Sequence, residues 1–171
     1  MKNVSKRSIQ EIYDGMIELE KQASEMLFSE AQKIIQFCYY DEVEEYKKDN
    51  FLSLWARARL VNDTTLDVSW YRVTPRGADR ESLRKEAIRK ERGKHRIPLA
   101  AFGRIPSPVI RQAVIQTEEF LAPVRKIAAQ HGKARRALFD ACKSAADLLG
   151  ESFNGRQQAD DEVTCLEDEE V

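Results

Sequence analysis

The chain has 171 residues, 33% of them charged, and 28 Lys+Arg nearly balance 29 Asp+Glu for a net charge of −1. That length suits one domain with a real core plus a tail, and only 7 Gly and 5 Pro favour long helices over an all-β sandwich. Three well-separated cysteines, Cys38, Cys142 and Cys165, with no Cys-x-x-Cys or Cys/His spacing, argue against a disulfide framework and a zinc site.

The N-terminus carries basic residues but no apolar segment of the signal-peptide kind. No apolar run approaches the roughly 18–20 residues that span a bilayer. A cytoplasmic protein with no membrane partner is therefore expected. The near-neutral total hides segregation of charge. Met1 to Asn50 has 7 Lys+Arg against 11 Asp+Glu, and Phe51 to Ser107 has 13 against 6, net +7. Pro108 to Gly150 has 7 against 4, and Glu151 to Val171 has 1 against 8. Clustered Lys and Arg supply the salt-dependent part of nucleic-acid affinity.

Ser8 to about Lys47 reads as one long helix. Ser8 with Glu11 three residues on is a capping-box pattern. Apolar residues recur at helical spacing from Ile9 through Met16, Leu19, Ala23, Met26, Ala31 and Ile34 to Cys38, with a phase shift near Glu30. Packing within the same protein is one use for this stripe. A coiled-coil seam joining a homodimer is the other.

Leu52 to Val61 and Leu66 to Val73 read as the two strands of a hairpin, with Asn62-Asp63-Thr64-Thr65 as the turn. If Val61 faces Leu66, Arg59 lies opposite Val68, Arg57 opposite Trp70 and Trp55 opposite Arg72. One face then carries Trp55, Arg57, Arg59, Trp70 and Arg72, and the other Leu54, Ala56, Ala58, Leu60, Tyr71 and Val73. Arginine interleaved with indole gains cation–π contact, and its planar fork suits phosphate and guanine. A ribbon of this kind is a candidate nucleic-acid reader. The competing assignment makes the tryptophans core and the arginine stems their cover. A one-residue slip would exchange the faces.

Thr74-Pro75-Arg76-Gly77 reads as a turn, and Asp79 as the cap of a basic helix from Arg80 to Arg92 ending at Gly93. Arg84, Lys85, Arg89, Lys90 and Arg92 spread around that helix, and Arg76, Lys94 and Arg96 flank it; the set either solvates a helix or meets DNA phosphates. The stretch from Lys94 to Arg104 reads as a third short strand or extended segment, held to an edge or an end by Pro98. Ser107 can cap a second long helix, Pro108 to Leu149, with Pro108 in its first turn, Pro123 as a kink and Gly150 as C-cap. His131 falls on the apolar stripe as a packing residue. Residues 151–171 form an acidic tail expected to be disordered, which either solvates or competes with DNA phosphates for the basic surface.

Chemistry-bearing motifs are scarce. There is no phosphate-binding glycine loop, no HExxH and no defensible Ser/His/Asp order. His95, between Lys94 and Arg96, is the one candidate general base, and no carboxylate cluster accompanies it. No catalytic residue, metal or cofactor is expected.

The fold expected is α+β: two long antiparallel helices flanking a small antiparallel sheet of two or three strands, with a short basic helix. Residues 1–150 form its single domain.

The order of elements, with Trp70-Tyr71-Arg72 ending a strand and a basic run from Lys90 through Gly93 and Lys94 to Pro98, resembles the MobI-type auxiliary proteins of conjugative elements over roughly Ser8 to Ala146. The resemblance implies a non-enzymatic DNA-processing role: binding double-stranded DNA at the origin of transfer and assisting a relaxase or other transfer proteins to assemble there. The alternative is a helical coiled-coil adaptor or regulator whose basic surface meets an acidic protein. On the DNA reading the candidate contacts are Trp55, Arg57, Arg59, Trp70, Arg72, Arg76, Arg84, Lys85, Arg89, Lys90, Arg92, Lys94 and Arg96.

Overall fold

A computed structural model describes residues 8–76, 82–105 and 107–155. It is α+β. Helix α1 spans Ile9–Ile35 and passes into one π-helical turn, Gln36–Tyr40, before the short helix α2, Glu44–Asp49. Three strands follow: β1 Leu54–Val61, β2 Thr65–Arg76 and β3 Ser82–Ile88. A 3-10 turn at Leu99–Phe102 leads to the long helix α3, Pro108–Leu149. The strands form one antiparallel sheet in the order β1-β2-β3.

Several boundaries follow from local chemistry. The backbone N–H of Ser8 donates to the Glu11 carboxylate at 3.0 Å, and the Glu11 N–H donates back to the Ser8 hydroxyl at 3.2 Å. This is the reciprocal capping box. Ser107 Oγ accepts from the Val109 N–H at 3.2 Å, with Pro108 as the first residue of α3. Gly150 has φ +66, and Glu151 N–H donates to Ala146 O at 2.9 Å. That 6→1 bond closes α3 as a Schellman motif.

The first long helix is shorter than its stripe suggested. The Asp41 N–H reaches back five residues to Gln36 O at 2.9 Å, which makes the π turn. The turn sets two adjacent tyrosines against β1: Tyr39 Oη donates to Leu54 O at 2.6 Å and Tyr40 Oη to Ala56 O at 2.9 Å. Ser53 O accepts from the Val73 N–H on the opposite side of β1, so the Leu54 and Ala56 carbonyls point away from β2. The tyrosines therefore satisfy an edge that would otherwise present unpaired acceptors.

The basic helix from Arg80 to Arg92 does not form. Residues Ser82–Ile88 are β3, paired antiparallel with β2 from Arg76↔Ser82 to Trp70↔Ile88. Arg, Lys, Glu and Ala favour helix locally, but the open edge of β2 offers a full ladder, and tertiary pairing outweighs the small differences of propensity. Likewise Thr74, Pro75 and Arg76 continue β2 and do not turn. Pro75 lies beyond the last β1 pair, where β2 has a neighbour on one side only, and its missing donor costs least there. The expected cap at Asp79 lies outside the described residues. The stretch from Lys94 to Arg104 is not a strand: it runs as a loop into the 3-10 turn.

The chain divides into two compact units. In the larger, Lys21–His131, one face of the sheet carries Leu54, Ala56, Val68, Trp70 and Ile88 into a core with Ala31, Ile35, Tyr39, Val43, Ile97, Phe102, Ile110, Val114 and Leu121. Trp70 is fully buried, edge-on to Tyr39 at 4.7 Å and to Phe102 at 5.3 Å between centroids. The smaller unit joins the start of α1 to the end of α3. There Tyr13 meets Phe139 and Phe153 edge-on at 6.2 and 5.1 Å, and the Ile9 N–H donates to the Glu151 carboxylate at 3.1 Å. Phe153 belongs to the first residues of the acidic tail; residues 156–171 lie outside those described. Among the described residues no helix is long and apolar enough to cross a membrane.

Candidate nucleic-acid interface

The hairpin turn decides which side chains face solvent. Asn62 and Asp63 take positive φ of 51° and 59°, and Thr64 N–H donates to Val61 O at 3.3 Å. The loop is three residues long, so Val61 pairs with Thr65 and not with Leu66. Every expected partner shifts by one: Arg59 faces Asp67, Arg57 faces Ser69, Ala56 faces Trp70 and Trp55 faces Tyr71. Because side chains alternate, the slip moves Trp70 and Arg72 from the expected arginine face to the face of Leu54 and Ala56.

Trp70 is thus a core residue and not a contact for nucleic acid. Its indole N–H donates to the Glu118 carboxylate at 2.7 Å. Arg72 lies on the same face as Trp70: its guanidinium donates to Phe102 O at 3.1 Å and stands 3.9 Å from Glu86. Gly103, at φ +64, lies against that guanidinium, with an added Cβ 3.0 Å from it.

The opposite face keeps Trp55, Arg57 and Arg59 and gains Tyr71 and Lys85. Trp55 is half-buried; its indole N–H donates to Leu52 O at 3.1 Å, and Lys85 Nζ lies 4.9 Å from its ring centroid. Arg59 is engaged by Asp67 across the strands at 2.9 Å. Arg57 is exposed, and its side chain makes no hydrogen bond or ion pair with any other described residue. Arg76 is the last residue of β2.

Next to this face runs the cationic segment. Between Arg84 and Arg96 there are seven Lys+Arg against two Glu, and all seven cations are exposed. Arg84 and Lys85 project from opposite faces of β3, whereas Arg89, Lys90, Arg92, Lys94 and Arg96 lie on the loop after it. Lys94 N–H donates to Glu91 O at 3.1 Å around Gly93, whose φ of +76° a side chain would oppose. Arg96 stands 3.6 Å from Glu119.

The residues that hold this loop belong to no motif that the sequence displays. Glu118 and Arg125 of α3 form a buried bidentate pair, with contacts of 2.8 and 3.0 Å. Glu118 also accepts from the Ile97 N–H at 2.8 Å, and Arg125 donates to His95 O and to Val68 O, each at 3.1 Å. One ion pair therefore joins α3, the sheet and the end of the basic loop. A signal was present: a Glu and an Arg two helical turns apart, beside Thr117, Leu121 and Val124 on the apolar stripe of α3. His95, the candidate base, has its Nδ1 buried without a hydrogen-bond partner among the described residues.

No curated protein and no solved structure matches the chain. A family model, described as MobI protein, matches residues 27–139, which include the π turn, the whole sheet, the basic loop and the Glu118–Arg125 pair. With that match over most of its length, the chain belongs to the MobI family, whose name ties it to mobilisation and conjugative transfer.

Proposed function

We propose that the protein is a non-enzymatic DNA-binding accessory factor of conjugative transfer, which binds at the origin of transfer and assists the relaxase to assemble there. The observation that carries the DNA-binding part is the cationic segment. The side chains of Arg84, Arg89, Lys90, Arg92 and Lys94 are exposed and make no hydrogen bond or ion pair with any other described residue. Charges left to solvent in this density repel one another, and a phosphate backbone relieves that repulsion while releasing its own counterions. A loop anchored by Ile97 and His95 at one end and β3 at the other presents them without a helix. Membership of a mobilisation family supports the transfer setting.

Fluorescence anisotropy with labelled duplex DNA across a salt series tests this reading. The observed binding constant should fall steeply with salt. Replacing Arg89, Lys90, Arg92 and Lys94 with Ala should shrink the slope of its logarithm against log salt by about 0.9 for each phosphate no longer neutralised. A slope unchanged by all four substitutions would remove the segment from the interface. A preference for origin DNA over random duplex of equal length, sharpened by added relaxase, is the expected signature of the assembly role.

A further inference from the structure

We propose that the solvent face of the sheet is a stacking platform for single-stranded nucleic acid. The proposal rests on the DNA-binding reading for the chemical class of the ligand, and it assigns that ligand's unpaired form to a surface separate from the basic loop. Trp55 and Tyr71 are direct register partners on β1 and β2, so their rings rise from neighbouring positions on one face. Cross-strand partners have Cβ atoms about 5 Å apart. Both are half-buried: Trp55 also packs against the margin of the core, and Val73, which follows Tyr71 on this face, is fully buried, so the open part of the face runs from Trp55 and Tyr71 toward Arg57. The bond from the Trp55 indole to Leu52 O fixes the plane of that ring.

Cations border the pair. Lys85 lies over the indole at 4.9 Å, and Arg57, the next residue on this face of β1, is exposed. Arg59 further along is offset by Asp67, so the positive end of the face is the end that holds the rings. A base sliding onto Trp55 would displace the lysine ammonium, which could then turn to the adjoining phosphate. Aromatic rings with flanking cations bind single strands of any sequence, because every base has a π face. A duplex offers no such face: its bases stack on each other, and reaching one requires unstacking it. An aromatic pair on an accessible sheet face therefore selects the single strand, while the basic loop serves either form.

The test uses the full chain at fixed salt with two probes: a fluorescein-labelled 20-nucleotide oligo-dT and a 20-base-pair duplex. Tryptophan emission is followed in parallel with unlabelled oligo-dT. The wild type should bind oligo-dT with quenching. Trp55→Leu and Tyr71→Leu should each weaken oligo-dT binding by about tenfold and leave duplex binding within twofold. Trp55→Phe should restore the affinity and abolish the quenching, since the remaining Trp70 is sealed in the core. Should Trp55→Leu fail to fold, Trp55→Phe and Tyr71→Leu still carry both readouts. Equal losses on both probes, undiminished oligo-dT affinity in Tyr71→Leu, or quenching that survives in Trp55→Phe would overturn the proposal. Binding of duplex without oligo-dT would overturn it and leave the DNA-binding reading standing. Binding of neither would remove both.

Discussion

The two tryptophans sit on the same hairpin and do opposite work. Trp70 is sealed between Tyr39 and Phe102 and gives its N–H to a buried carboxylate. Trp55 lies on the other face, half-buried under a lysine, with its N–H returned to its own chain three residues back. The environment is set by strand parity and not by residue type. Where β1 and β2 pair, from Leu54 to Tyr71, even positions turn to the face of the core and odd positions to the face opposite, although Trp55 still reaches the margin of the core and Val73, just beyond, is buried. Aromatic content in a strand therefore says nothing about binding until the register is known.

The buried side of that contrast should break most easily at Glu118 and Arg125. Arg125→Met leaves a buried carboxylate with neither its counter-charge nor two of its hydrogen bonds, and should cost about 3–5 kcal/mol in urea unfolding. The double variant Glu118→Leu with Arg125→Met should cost less than Arg125→Met alone, since no charge is then stranded. A double variant that loses the sum of the two single effects would show that the pair is not coupled.

Trp70→Ala should cost about 3–5 kcal/mol by opening a cavity in the core. Trp55→Ala, which removes a half-buried ring at the margin of the core, should cost about 1–2 kcal/mol. Equal losses in denaturant midpoint would erase the distinction between the faces.

Tyr39 sharpens the comparison through pH. Burial pushes its phenol well above the ordinary value near 10, and its neighbour Tyr40 is raised by burial too. The folded state thus keeps protons that the unfolded chain releases. The resulting stability is fully present below about pH 10 and declines as the pH rises above it. Tyr39→Phe should lose about 1 kcal/mol at neutral pH, with the bond to Leu54 O, and should flatten the alkaline decline. An alkaline unfolding profile identical to wild type would place the proton linkage elsewhere.

The smallest effect is expected on the solvent side. Arg57→Ala should change stability by no more than about 0.5 kcal/mol while weakening nucleic-acid binding. Arg72→Ala, whose guanidinium is tied to Phe102 O, should do the reverse, costing about 1–2 kcal/mol of stability with little effect on binding. If Arg72 governs affinity and Arg57 does not, the assignment of faces is inverted.

Much of the molecule was legible because it depends on neighbours in sequence. The Ser8–Glu11 box, Ser107 with Pro108, and Gly150 mark helix ends through bonds spanning two to five residues, and all three act where the sequence placed them. The hairpin, centred on Asn62-Asp63, was legible for the same reason, as was the concentration of positive charge between Phe51 and Ser107. What required the folded chain was everything settled at a distance. A loop of three residues in place of four flipped β2 and exchanged Trp70 and Arg72 for Tyr71, because a strand's period of two turns a single-residue slip into a change of face. The Arg84–Ile88 segment has a helical composition, yet it is a strand because β2 left an edge to fill. Glu118 and Arg125 belong to no motif of the sequence. Their burial became visible only when Trp70, Ile97, His95 and Val68 arrived from other elements to meet their hydrogen-bonding capacity. Local bonds determine where elements begin and end. Which face of each element meets the core is decided by contacts between residues far apart in the chain, and that choice separates the scaffold from the surface that can bind.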